Sequence, residues 1–162
     1  MTPKPVSVSI EVPQSRTDVY DFLDVMANHE PFTNHMLVDW SYAGPPRGIG
    51  SKAHVDSKFG GRKEAVDIEV VAAQAPERIV EHNVSAKGKR LASGTYELTE
   101  LPGGGTRIQF TYSWREAPLA DRLLAPLVRS LLRRGNEKAM ARLRDQLPSA
   151  VGDRAVVPAG AE

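Results

Sequence analysis

The sequence predicts an α+β domain in which a curved, seven-stranded antiparallel sheet wraps around one long C-terminal helix, with two short helices between the first and second strands. Three observations predict it. Pro118–Leu147 is the longest run of good helix formers, and its second half, entered at Pro126, would run ~22 residues and ~33 Å. From Leu37 to Trp114, alternating segments recur between closely spaced turn signals, and strands joined by such short links must pair antiparallel. Few other helices are available to cover so large a sheet.

Each element has its own signal. Val6, Val8, Ile10 and Val12 alternate with polar residues, a half-buried first strand that Pro13 stops. Ser15 and its neighbours offer capping side chains, and Val19, Tyr20, Phe22, Leu23 and Met26 follow at helical spacing. Asn28-His-Glu-Pro31 reads as a break, with a second short helical turn over Pro31–His35. Strands are then expected over Leu37–Tyr42, Ser51–Phe59, Lys63–Ala72, Arg78–Ala86, Arg90–Leu101 and Thr106–Trp114. Gly60-Gly61 is a hairpin signal between the second and third of these. In the last segment, Val128, Leu132, Ala139, Leu143 and Leu147 share one stripe, while Leu123, Leu124, Leu127 and Leu131 lie about a third of a turn away. A break at Pro126 explains the drift, because proline suits the first turn of a helix and not its interior. Gly135 on the edge of the stripe would let another backbone approach.

Length and composition bound the rest. At 162 residues the chain is expected to form one domain over residues 1–148, with a disordered tail over 149–162. Without cysteine there is no disulfide, thiolate metal site or catalytic thiol. The opening MTPKPVSVSIEV lacks the apolar run of a signal peptide and no stretch approaches a membrane span, so a cytoplasmic location is expected. With 21 Lys+Arg against 20 Asp+Glu, bulk charge does not point to nucleic acid. Between Arg129 and Arg144, however, six basic residues stand against one acidic residue, Glu137. Such a face is either a solvated helix surface or one that would make transient contact with an anionic membrane or an acidic partner.

The order of elements, together with Gly48-Ile-Gly50, Gly60-Gly-Arg-Lys, Ala75-Pro-Glu-Arg-Ile-Val and the stretch from Ser93-Gly-Thr-Tyr through Pro102-Gly-Gly-Gly-Thr-Arg-Ile, resembles the START-like (SRPBCC) superfamily over roughly residues 4–147. It is similar in particular to the bacterial polyketide cyclase/dehydrase and lipid-transport branch, whose fold is the helix-grip. The resemblance implies a deep pocket between sheet and long helix for a hydrophobic small molecule. Where many relatives carry a tryptophan before the second strand, this chain reads His29-Glu-Pro-Phe32-Thr-Asn-His35, which implies a different cavity entrance flanked by His29 and His35.

Strand alternation predicts the lining independently. Taking the more apolar parity of each strand gives Ala53, Val55 and Phe59, then Val66, Ile68 and Val70, then Val80, His82 and Val84. The last two strands add Tyr96, Phe110, Tyr112 and Trp114, and the long helix adds Val128, Leu132 and Leu143. His82, Tyr96 and Tyr112 are the polar tips and the candidate catalytic residues; each is equally a core residue satisfied by a neighbour. Glu64, Asp67 and Glu69 crowd one strand, but Asp67 and Glu69 take its solvent face. Four scattered histidines and no helical His-x3-His pair predict no metal, and no cofactor is expected. Three functions stay open: carriage or sensing of a hydrophobic lipid or aromatic/polyketide metabolite, which the absence of a catalytic constellation favours; a cyclase, aromatase or dehydratase using the same cavity; and a protein-interaction module on the outer helix face.

Overall fold

The computed structural model describes residues 1–59 and 61–149, so Gly60 of the expected hairpin and the expected tail from Ala150 onward lie outside the described residues. The strands are β1 (Val6–Val12), β2 (Leu37–Ala43), β3 (Lys52–Phe59), β4 (Arg62–Gln74), β5 (Arg78–Ser85), β6 (Arg90–Glu100) and β7 (Thr106–Glu116). They form one antiparallel sheet in the order β1-β7-β6-β5-β4-β3-β2, as the turn spacing predicts. Consecutive strands pair throughout, except that β1 joins β7 and leaves β1 and β2 as the two edges.

Between β1 and β2 lie α1 (Arg16–Leu23) and α2 (His29–Thr33), joined through a single tight turn at Met26–Asn28. Ser15 caps α1 by accepting the Asp18 N–H at 3.2 Å. The expected break at Asn28–Pro31 is instead the start of α2. Pro31 falls in the first turn, where a missing N–H costs nothing, so His29 and Glu30 are helical too.

The C-terminal segment divides as the wheel predicts. The helix α3 (Leu119–Leu123) ends at Leu124, whose φ of −102° and ψ of 22° break the regular geometry, and α4 (Ala125–Gln146) begins at once with Pro126 in its first turn. The C-terminal half of α4 packs into the core through Ala139, Met140 and Leu143. Each fully enclosed Leu, Ile or Phe side chain there adds about 1.5–3 kcal/mol to stability. The N-terminal half rests on β1 and β7 through Val128 and Leu132, which are partly buried against Val6, Trp114 and Ala117.

On one flank of α4, Arg129 donates to Lys4 O at 3.0 Å, Arg133 to Ser7 O at 3.1 Å and Arg144 to Glu11 O at 3.4 Å, all carbonyls in or just before β1. On the other flank, His35 Nε2 donates to Gly135 O at 2.9 Å while its Nδ1 accepts from Arg142 at 3.0 Å. Gly135 has a different role from the one expected. A Cβ there would sit 3.1 Å from Met36 Sδ, so its bareness admits a side chain rather than a backbone.

Candidate functional site

A cavity of about 460 Å³ remains between α4, from Leu127 to Met140, and the concave face of the sheet. Its walls are mainly apolar and aromatic. Of the expected lining, Phe59, Val66 and Ile68 are present from β3 and β4, and Tyr96, Phe110, Tyr112 and Trp114 from β6 and β7. Val128 and Leu132 of α4 face them. Val55 and Leu143 lie outside this lining; both are wholly buried in the solid core beside it.

Strand β5 presents the other parity. Ile79, Glu81 and Ser85 are its buried residues, and Glu81, Asn83 and Ser85 line the cavity, while Val80, His82 and Val84 face the outer side. Cross-strand partners settle the register: Ile79 lies opposite Tyr96, Glu81 opposite Gly94 and Asn83 opposite Ala92. Choosing the apolar parity fails here because β5 turns carboxylate, amide and hydroxyl groups inward. A bulge in β4 where Val70 pairs with Glu81 and Ala72 with Val80 adds to the offset. His82 therefore does not join Tyr96 and Tyr112. Its pKa is lowered by partial burial and by the nearby Arg115 charge.

Two polar centres are set into the apolar walls. At the first, His29 is 4% exposed, so it lies in the interior rather than at the entrance. Its Nε2 donates to Leu23 O at 2.6 Å, and its Nδ1 stands 3.2 Å from Glu81 Oε1. Burial opposes the imidazolium, but the Glu81 carboxylate outweighs it, and the His29 pKa is raised. Tyr96 packs edge-on to His29 with ring centroids 5.5 Å apart, and lies 4.8 Å from Phe110. Burial, with the Glu81 charge, pushes the Tyr96 hydroxyl up and keeps it protonated. Gly94 makes the room: a Cβ there would meet the Phe110 ring at 3.1 Å and Glu81 Oε2 at 3.5 Å.

The second centre is Arg90, which donates to both Asp121 oxygens at 2.7 Å, to Ser85 Oγ at 3.1 Å and to Glu64. Trp114 Nε1 also donates to Asp121, at 3.0 Å. Burial would raise the Asp121 pKa, but these donors lower it below the ordinary carboxylate value. Tyr112, beside Arg90, is pushed up by burial and stays protonated. The Asp121 bonds tie α3 across one side of the opening. There Leu124 and Leu127 line the cavity while remaining 53% and 56% exposed.

Sequence reasoning missed His29, Glu81, Arg90 and Asp121 as cavity residues. Only Glu64 carried a usable signal, since it shares the inward parity of Val66. Together the groups can hold an apolar body and meet its polar atoms, with a proton favoured on His29 beside the Glu81 carboxylate.

Residues 5–148 match the family described as polyketide cyclase / dehydrase and lipid transport. The chain belongs to this family. Solved structures similar to this polyketide cyclase/dehydrase and lipid-transport member include TTHA0849 from Thermus thermophilus. That likeness has 17% identity and a TM-score of 0.68, covering 89% of this chain and 97% of that one. The KanY protein (ms6282) gives 12% identity and a TM-score of 0.72 over 91% and 99% of the two chains. The di-domain ARO/CYC BexL from the BE-7585A biosynthetic pathway gives 18% and 0.67, over 90% of this chain but 50% of its own. At these identities the likeness shows the fold alone. No curated protein matches the chain significantly.

Proposed function

We propose that this protein binds a hydrophobic small molecule, of lipid or aromatic/polyketide type, in the cavity between sheet and α4, as a carrier or sensor. The observation that carries this reading is the 460 Å³ cavity itself, walled by Phe59, Phe110, Tyr112 and Trp114 and bordered by exposed leucines. Apolar walls of this kind favour a ligand through the surface it removes from water. Among the described residues no helix is long and apolar enough to cross a membrane. A cytoplasmic carrier would collect its ligand by transient contact with an anionic surface. The exposed Leu123, Leu124 and Leu127 suit that contact better than Arg129, Arg133 and Arg144, which are engaged with β1 and the residues just before it. Native mass spectrometry of the purified protein, followed by organic extraction, tests the reading. A co-purifying lipid or aromatic metabolite is expected. A clean apo mass together with no uptake of apolar dyes would sink it.

A second reading, a dehydratase- or cyclase-type enzyme, is favoured by the His29–Glu81 pair. In a β-hydroxy ketone, Glu81 would take the proton from the carbon next to the carbonyl, and the C–H electrons would form the C=C bond. The hydroxyl would leave with a proton from the His29 imidazolium, as water. Tyr96 and Tyr112, both protonated, would serve as hydrogen-bond donors, whereas His82 faces away. Turnover surviving unchanged in a His29→Gln/Glu81→Gln double variant would remove this reading.

A further inference from the structure

Glu81 Oε1 is enclosed and accepts no hydrogen bond among the described residues; the residue is 5% exposed. Its Oε1 lies near His29 Nδ1, but out of line for a hydrogen bond. Two residues along the same inward face of β5, Asn83 Oδ1 is enclosed and equally unpartnered. A buried acceptor without a donor is costly, so such atoms mark where a donor is meant to arrive. Residues two apart on a strand stand about 7 Å from one another, within the reach of one fused aromatic molecule.

The cationic groups of the cavity are already engaged. Arg90 is held by Asp121, Glu64 and Ser85. His29 spends Nε2–H on Leu23 O and turns Nδ1 to Glu81. Arg62 stands exposed at the start of β4, where an anion paired with it would stay in water.

We propose that Glu81 and Asn83 form a recognition site for hydrogen-bond donors, so that the cavity takes a neutral hydroxylated aromatic, a phenol or enol, in preference to a carboxylate. The proposal rests on the cavity-binding reading above and sharpens it. A ligand hydroxyl donates to the Glu81 carboxylate, and its ring packs against Phe110 and Tyr96. A second hydroxyl reaches the Asn83 amide. Among the described residues a fatty acid anion finds no unengaged cation inside, and it would have to compete with Glu81 for His29.

The test uses the unmodified protein and four probes near neutral pH: naphthalene, naphthol, its methyl ether and naphthoate, each titrated by displacement of an apolar fluorescent dye. Naphthol is expected to bind about ten-fold or more tightly than the ether, because it alone donates to a buried charged acceptor. Naphthoate is expected to be the weakest. Glu81→Leu should bring naphthol and ether to equal affinity, and Asn83→Leu provides the same comparison at the second acceptor if the first variant does not fold. Equal binding of naphthol and ether to the unmodified protein, or naphthoate binding best, overturns the donor-site proposal and leaves the cavity reading intact. Failure of all four probes, naphthalene included, overturns both.

Discussion

Arg90 of β6 and Asp121 of α3 face each other as a fork, with Nε and Nη2 of the guanidinium each donating to one carboxylate oxygen at 2.7 Å. Planar pairing of this kind fixes orientation as well as distance. It joins the sheet to the short helix at the cavity opening, and Trp114 adds a third bond to the same carboxylate. Asp121→Ala leaves Arg90 with Glu64 and Ser85 alone. Removing one partner of a largely buried pair is expected to cost about 3–5 kcal/mol, read by urea denaturation. The sign with pH follows from the lowered Asp121 pKa. Its stabilisation is present above the ordinary carboxylate pKa and is lost as pH falls through the lower folded value. The variant should lack that part of the acid dependence.

His35 has the opposite requirement from His29. Burial lowers its pKa, and the Arg142 and Lys138 charges add to this against its bond to Gly135 O. The neutral ring, accepting from Arg142 through Nδ1, is the one that joins α2 to α4. Its contribution is present above the ordinary histidine pKa and lost as pH falls through the folded one. Denaturation midpoints should therefore drop on mild acidification, and His35→Gln should flatten that slope. His29, with its raised pKa, works in the reverse direction: its stabilisation is present below the ordinary value and lost as pH rises through the folded one. A His29→Gln variant should show the steeper acid loss of the two.

Gly94 keeps the space between Phe110 and Glu81. The Phe110 ring 3.1 Å from an added Cβ is stiff and cannot simply swing away. Gly94→Ala is expected to destabilise by about 1–3 kcal/mol through overpacking and to push Phe110 into the cavity. Weaker dye uptake alongside a lower denaturation midpoint would register both effects. Gly135→Ala meets Met36 Sδ, on a flexible side chain, at 3.1 Å and the Phe59 ring at an ordinary 3.7 Å, and its gain in helix propensity should leave stability within about 1 kcal/mol.

The two faces of the sheet separate cleanly by mutation. Leu132→Trp adds bulk into open cavity space and should lower ligand uptake at least ten-fold while the fold persists. Val84→Asp and His82→Ala alter the outer face of β5 and should leave uptake unchanged. A loss of uptake in either of these two would contradict the observed register of β5.

The fold was legible because its signals are local. Alternation names each strand, Pro126 divides the C-terminal helices, and short links force antiparallel pairing. Most of the apolar lining of β4, β6 and β7, with Phe59 of β3, followed from the same alternation, while Val55 went to the solid core. Strand β5 did not, because the rule that the apolar side faces inward reverses where a wall must meet polar atoms. Val80 and Val84 outranked Glu81 and Asn83 on hydropathy, yet the latter pair faces the cavity. His29 was obscured by Pro31, which reads as a breaker until the residue is known to sit in a first turn. Arg90 and Asp121 lie 31 positions apart and meet only through the folded topology, so no spacing announces them.

The arginines along α4 bear on how copies of this protein behave toward one another. An outermost strand ordinarily offers its carbonyls as a template on which a neighbouring chain can continue the sheet. Here two of those acceptors, at Ser7 and Glu11, and the Lys4 carbonyl just before the strand are held by guanidinium groups of the same molecule. Strand addition at β1 must first displace charge-assisted bonds. Three of the six basic residues in a stretch that reads in sequence as a solvated or a docking face thus turn their charge to their own molecule's edge, which disfavours the joining of copies through β1.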